Sequence, residues 1–255
     1  MTALLAARGV CKAFGGVQAL DGCCLEVEAG TIAGLIGPNG SGKTTLFNVI
    51  TGYERPGEGD VYLGGRRITN LPPDRVFKLG IGRTFQLTRI FPRLTVMENM
   101  LVAVPQRHRR SRNPLARASV ASDRRRAMEL LEFTGIEAHA DDLAGTLSYG
   151  QRKLLELSYL LIADPDVMLL DEPAGGVNPS LAARIAARIK ELNADGKTFL
   201  VVEHNMGFVM DLCDQVTVLD YGRVAASGPP AIIRSDPRVL DAYLGEGEAD
   251  AEAGQ

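Results

Sequence analysis

The chain has 255 residues, 28 Lys and Arg against 31 Asp and Glu, a formal net charge of −3, and 45% hydrophobic residues. A disordered chain would be poorer in apolar residues and more highly charged, whereas this length supports one large domain with a substantial core. The mild acidity gives no support for a nucleic-acid partner. In chain order, residues 4–14 and 20–28 read as antiparallel strands. Residues 31–36 form a further strand that runs into Gly37-Pro38-Asn39-Gly40-Ser41-Gly42 and a helix over 43–50. Residues 59–63 continue the strand character up to a turn at Gly64-Gly65. From about residue 87 to 163 the chain reads mainly helical. Thr95 and Glu98 make a capping box that opens one helix, residues 122–133 a second and 148–163 a third. Residues 106–119 are polar, Arg-rich and contain Pro114, and are expected as a surface loop. Residues 167–170 read as a fully buried strand. Asn178 and Pro179 open a helix that Gly196 ends, with Leu181, Ile185, Ile189 and Leu192 on one face. Residues 199–202 form another buried strand, and 216–219 with 224–226 a hairpin around Tyr221-Gly222. The alternation of strands and helices implies an α/β fold with a helical insert.

Residues 1–10 show no basic region followed by a long apolar stretch, so no secretory signal is expected. The most apolar window, residues 154–163, contains Glu156 and is shorter than the roughly 18 residues a membrane span needs. The chain is therefore expected not to cross a bilayer by itself. Cys11, Cys23, Cys24 and Cys213 show no CxxC spacing, and are expected as reduced thiols without disulfide or zinc.

Two segments carry chemistry. Gly37-Pro38-Asn39-Gly40-Ser41-Gly42-Lys43-Thr44 fits GxxxxGK[ST], with Thr45 directly after it. Its glycines let consecutive backbone N–H groups point at one anion, and the helix that follows adds its positive end. Lys43 supplies a charge for β- and γ-phosphates, and Thr44 a hydroxyl for Mg²⁺. The second segment is Val167-Met168-Leu169-Leu170-Asp171-Glu172, an apolar strand ending in two carboxylates. Asp171 suits Mg²⁺, and Glu172 is the better general base, because hydrolysis needs a second group aimed at water.

A third motif, Leu147-Ser148-Tyr149-Gly150-Gln151, precedes the carboxylates. Ser148 and Gln151 form a capping box, another helix N-terminus able to receive phosphate. With it the chain resembles the nucleotide-binding subunits of ABC transporters, from about residue 4 to 245. The resemblance implies a P-loop NTPase core, a mixed sheet with helices, joined to an antiparallel β subdomain and an inserted helical subdomain. It also implies one domain over residues 1–245 with an acidic tail at 246–255. In this family Gln86, in Gly82-Arg83-Thr84-Phe85-Gln86, approaches Mg²⁺, His204 lies near the γ-phosphate, and Phe14 stacks on adenine. Ser148, Gly150 and Gln151 would face the ATP held by a second ATPase subunit in a head-to-tail dimer. Hydrolysis would then drive two transmembrane permease subunits at the cytoplasmic face of the membrane. Three departures are visible: Tyr149 for glycine, Asn178 where Asp is common, and Asn205 after His204. None removes a catalytic group.

Several stretches resemble the ATPase subunits of branched-chain amino-acid importers: Arg83-Thr84-Phe85-Gln86, Leu94-Thr95-Val96-Met97-Glu98-Asn99, Gly175-Gly176-Val177-Asn178-Pro179 and Ala242-Tyr243-Leu244-Gly245-Glu246. Those importers pair two ATPase subunits with two permeases and a periplasmic or extracellular solute-binding protein. The Tyr-Leu-Gly-Glu ending also resembles the ATPase of lipopolysaccharide export. ABC ATPases outside transport usually carry tandem domains, coiled coils or zinc modules, which are missing here. The net charge has parts. Arg107, Arg109, Arg110, Arg112, Arg117, Arg124, Arg125 and Arg126 face only Asp123, while Asp241, Glu246, Glu248, Asp250 and Glu252 make the tail acidic. The arginines read as a solvated face or as a contact for anionic lipid or an acidic permease surface.

Overall fold

The computed structural model describes residues 3–84, 90–104, 115–237 and 239, and the side chains of 115–119 lie outside that description. The chain begins with β1 (Ala3–Phe14), β2 (Val17–Glu28), β3 (Ile32–Ile36), α1 (Lys43–Ile50), β4 (Glu58–Leu63), β5 (Arg66–Arg67), α2 (Pro73–Lys78) and β6 (Ile81–Arg83). Three helices follow, α3 (Val96–Ala103), α4 (Leu115–Thr134) and α5 (Tyr149–Leu161). The remainder is β7 (Val167–Asp171), α6 (Pro179–Ala194), β8 (Thr198–Val202), α7 (Met206–Leu212), β9 (Gln215–Asp220), β10 (Arg223–Gly228) and α8 (Pro230–Ile233).

Two sheets result. One is antiparallel, in the order β2-β1-β4-β5. The other is mixed, in the order β10-β9-β3-β8-β7-β6, parallel throughout except for the β9–β10 hairpin. Every residue of β3, β7 and β8 is buried, which is why these strands read as unbroken apolar runs. One face of the mixed sheet packs against α1 and the antiparallel sheet, with Leu46, Phe47 and Ile50 in the contact. Burying side chains of this size stabilises the fold by about 1.5–3 kcal/mol each. The other face packs against the insert helices and α6, through Leu155, Met168, Ile185, Ile189 and Phe199. On α6, Leu181 and Leu192 sit beside Ile185 and Ile189 only partly buried, so the expected apolar face is present. The mixed sheet thus separates two cores, and the loops after β3, β7 and β8 leave it at the same edge.

The capping boxes form as the sequence implies. Glu98 N donates to Thr95 Oγ1 (3.1 Å) and Thr95 N to Glu98 Oε2 (2.8 Å). Two expectations need correction. Helix α4 begins at Leu115, so the last part of the expected 106–119 loop is helical. Leu115, Ala116, Arg117 and Ala118 are good helix formers, a signal that the polar, Arg-rich composition obscured. Five short elements, α2, β5, β6, α7 and α8, are absent from the sequence reading; each is too short to show a clear period. Arg107, Arg109, Arg110 and Arg112, and the acidic tail, lie outside the described residues, as does the side chain of Arg117.

Among the described residues no helix is long and apolar enough to cross a membrane. All four cysteines are free thiols. Burial pushes the Cys23 and Cys213 thiols up to about 12, whereas Cys24 is exposed on the outer face of the β1–β2 ribbon. Because the thiolate is the nucleophile, iodoacetamide at about pH 8 should alkylate Cys24 and spare Cys23 and Cys213 until the chain is unfolded. Mass spectrometry of native and denatured samples reads this directly. Native-state labelling of either buried thiol would contradict the packing.

Candidate active site

Strand β3 ends at Ile36, and the chain then wraps into the phosphate loop. Glycine is required here for steric reasons. A Cβ on Gly37 would overlap the Leu219 carbonyl oxygen, and one on Gly42 the Ala19 carbonyl oxygen. Gly42 also sits at φ +105° as the N-cap of α1, which has no side-chain cap. The first N–H groups of α1 therefore carry no capping side chain and suit an anion. Lys43, the first residue of α1, is buried, and its Nζ donates to the carbonyls of Gly37 and Pro38, both at 2.7 Å. Ser41, also buried, lies 3.4 Å from the same ammonium.

The facing wall comes from the ends of β7 and β8. Glu172 follows β7 at φ +49°, a left-handed conformation that costs a non-glycine residue about 1–2 kcal/mol. Its main chain is held on both sides: its N–H donates to Val202 O (2.9 Å), and its carbonyl accepts from Lys153 Nζ and Gly175 N–H, both at 3.0 Å. The turn aims the Glu172 carboxylate at His204, with Oε1 2.9 Å from Nε2. Glu172 and His204 share a cavity of about 280 Å³ with Asn39, Gly40, Gly42, Lys43, Thr44 and Thr45. Glu172, His204 and the phosphate loop are thus brought to one cleft by strands far apart in sequence.

Asp171 lies one step behind. It is buried, and its Oδ2 pairs with Arg83 at 3.0 Å, while its N–H donates to Thr84 Oγ1 (3.0 Å). Arg83 also donates to Asn48 Oδ1 (2.6 Å) and packs on Phe47. Glu203, next to His204, is buried and accepts a hydrogen bond from Ala174 N (2.6 Å). Burial raises its carboxyl above the usual carboxylate range, against the opposing pull of that hydrogen bond. Phe14 stands 45% exposed at the end of β1, with Lys12 Nζ 4.8 Å from its ring centroid, and does not line the cleft. Gln86 lies outside the described residues.

The third motif builds a separate surface. Gln151 N donates to Ser148 Oγ (3.3 Å) and Ser148 N to Gln151 Oε1 (2.8 Å), closing the capping box on α5. Ser148, Gly150 and Gln151 line a hollow of about 510 Å³ together with Gly176, Asn178 and Arg184. The hollow shares no lining residue with the phosphate cleft. Tyr149, the departure from glycine, lies against Gly176, where the absent Cβ makes room for its ring. Gln151 Nε2 further contacts His139 Nε2 (2.7 Å), and His139 Nδ1 contacts Asp142 Oδ2 (2.7 Å).

Sequence reasoning missed the supporting charges. Arg83 sits inside the segment quoted for Gln86 and Glu203 directly precedes His204, neither with a role of its own in the sequence reading. Lys153 carried a fainter signal: a charge four residues before buried Leu157, on the apolar face of α5.

The ABC transporter family profile matches residues 20–175, and the profile of the branched-chain amino acid ATP-binding cassette transporter matches residues 223–249. The high-affinity branched-chain amino acid transport ATP-binding protein LivG of Salmonella typhimurium is 38% identical over 250 residues, covering 95% of this chain and 98% of that protein. A solved ATP-binding cassette of an ABC transporter in its ADP conformation superposes with a TM-score of 0.83 at 36% identity, covering 96% of this chain and 100% of the other. A dimeric bacterial ABC transporter cassette superposes with a TM-score of 0.79 at 28% identity, over 89% and 98% of the two chains. Alignment along almost its full length, with the phosphate loop and the Glu172 turn facing each other across one cleft, leaves a single assignment: the chain belongs to the ABC transporter family, as one of its ATP-binding cassettes.

Proposed function

We propose that this chain is the ATP-hydrolysing subunit of an importer for branched-chain amino acids or related small polar solutes. The observation that carries the hydrolytic reading is the meeting of Lys43, Glu172 and His204 in one cleft. The solute class rests on the C-terminal profile match and on relatives such as LivG. Mg²⁺–ATP is the substrate. The loop amides from Asn39 to Thr45 and the N-terminus of α1 receive the phosphates, and Lys43 turns from the Gly37 and Pro38 carbonyls toward the β- and γ-phosphates. The Thr44 hydroxyl and Gln86 are oxygen donors suited to Mg²⁺, which adds Lewis acidity when bound, and the Asp171 carboxylate, set behind the cleft and paired with Arg83, would reach it through water. Phe14 stacks on the adenine.

Glu172 accepts a proton from the attacking water as the water oxygen bonds to the γ-phosphorus. The bond from that phosphorus to the bridging oxygen breaks, and ADP and phosphate leave. His204, held by Glu172, donates a hydrogen bond to the γ-phosphate oxygens as their charge redistributes. The separate hollow at Ser148, Gly150 and Gln151 gives the head-to-tail reading its physical basis, because each cassette then completes the other's site. The dimeric cassette above supports the pairing of two cassettes.

The permease contact has a candidate surface. A groove of about 520 Å³ opens beside the end of β6, lined by Thr51, Tyr53, Phe77, Arg83, Val102 and Tyr159 among others. Tyr53, Phe77 and Val102 are exposed there. Two permease subunits seated in the two grooves of a dimer would hold the cassettes at the cytoplasmic face of the membrane, and a solute-binding protein would deliver solute from the far side. Pull-down from membranes of the native host tests this, with mass spectrometry of the captured subunits and leucine uptake into reconstituted vesicles. Phe77→Asp is expected to lose at least about tenfold of the captured permease. Its basal ATPase should stay within about twofold of the unsubstituted chain, since Phe77 touches neither the phosphate loop nor the Glu172 turn. Undiminished capture would remove the groove from the permease contact.

A further inference from the structure

Lys153 is a buried ammonium that the hydrolytic steps above do not use. It lies one turn into α5, the helix whose N-terminus carries Ser148, Gly150 and Gln151. Its Nζ crosses to the loop after β7 and donates to the main-chain carbonyl of Glu172 at 3.0 Å. The Tyr149 ring centroid is 5.8 Å from the same Nζ. Lys153 makes no ion pair among the described residues, so its charge is spent on a carbonyl and a ring face.

Stability alone gives a weak reason for such a group. An ammonium taken out of water without a carboxylate partner is costly to bury, and a carbonyl and a ring face offset only part of that cost. What the ammonium does secure is geometry. Glu172 occupies a left-handed conformation, and the direction of its carboxylate depends on that conformation. The Lys153 bond fixes the carbonyl of this peptide from outside the turn, whereas the Gly175 bond closes the turn from within. Through Lys153, α5 thus contacts the peptide of the residue proposed to face the nucleotide.

We infer that Lys153 is a positioning residue that links the Ser148 end of α5 to the Glu172 peptide, so that nucleotide seated by a second cassette on Ser148 is transmitted to the group that activates water. This rests on the reading of Glu172 as general base and of Ser148 as the contact for the partner's nucleotide. Movement of α5 shifts Nζ, Nζ shifts the Glu172 carbonyl, and the carboxylate follows because the turn is short and bonded at both ends.

The full-length chain tests this through kcat and KM for ATP, and through single-turnover cleavage with enzyme in excess. Lys153→Met is expected to lower kcat about tenfold or more with KM within about twofold, because the phosphate loop is untouched. Lys153→Arg, which keeps a charged donor, should recover to within about threefold of the unsubstituted rate. In a Glu172→Gln background, Lys153→Met should change single-turnover cleavage by less than about twofold, because a residue acting through Glu172 has nothing further to lose. The inference is overturned by a Lys153→Met kcat within twofold of the parent, by an equal loss in the Glu172→Gln background, or by Lys153→Arg being as impaired as Lys153→Met. Circular dichroism checks folding, and Lys153→Leu is read by the same criteria if the methionine variant does not fold. Undiminished turnover in Glu172→Gln alone would remove the general base itself, a result separate from any of these.

Discussion

Glu172→Gln is expected to lower the ATPase kcat by about 10²-fold or more while leaving ATP affinity within about twofold. The split follows from where the carboxylate stands. Glu172 lies across the cleft from the phosphate loop, and its carboxylate contacts His204 at 2.9 Å. The groups proposed to hold the phosphates, the loop amides and Lys43, belong to the β3–α1 connection and do not depend on that carboxylate. Glutamine matches glutamate in shape, so the turn at φ +49°, the main-chain bonds to Val202, Lys153 and Gly175, and a hydrogen bond to His204 all remain possible. Only the capacity to take a proton from water is removed. Because hydrolysis is the step that reopens a closed pair of cassettes in the proposed cycle, the variant should also accumulate as an ATP-bound dimer. Turnover assays, equilibrium nucleotide binding and analytical ultracentrifugation with and without ATP measure the three effects. Parental turnover would end the assignment of Glu172 as base.

How much of this arrangement could be read from the residues differs by element. Strands β3, β7 and β8 announce themselves as buried apolar runs, and the phosphate loop is a contiguous string whose glycines are required by local packing. The capping boxes at Thr95 and Ser148 are equally local, and both are present with the expected bonds. The cleft is a different matter. Glu172 and His204 become neighbours only because β7 and β8 pair in parallel, with Asp171 opposite Val202, so both chain ends leave the sheet together. Their proximity was expected from family resemblance, not from spacing. The supporting charges were the hardest to see. Arg83 meets Asp171 across 88 positions of sequence and Glu203 meets Ala174 across 29, and neither pairing has a local signature. Helix α4 failed in the opposite way: its first turns were legible in the propensities of Leu115 and Ala116 but were overruled by composition.

Lys43→Ala should produce the complementary phenotype, a loss of ATP affinity of about tenfold to a hundredfold. Lys43 is nearly inaccessible, and its ammonium is tied to two carbonyls of the loop proposed to enclose the phosphates. A hydrogen bond involving a charged group contributes about 1.5–3 kcal/mol, and about 1.4 kcal/mol corresponds to a factor of ten in affinity. Loss of one charge-assisted contact to phosphate therefore gives the range stated. The variant also deprives the Gly37 and Pro38 carbonyls of this donor, which loosens the loop before nucleotide arrives and adds to the effect. Lys43→Arg is expected to restore charge without restoring affinity, because the guanidinium is larger than the space bounded by Gly37, Pro38 and Ser41. Titration with ATP and kcat/KM for hydrolysis distinguish this from Glu172→Gln: binding fails for Lys43, turnover fails for Glu172. Unchanged affinity in Lys43→Ala would mean that the loop amides and the α1 N-terminus hold the phosphates unaided, and that the ammonium serves the loop alone.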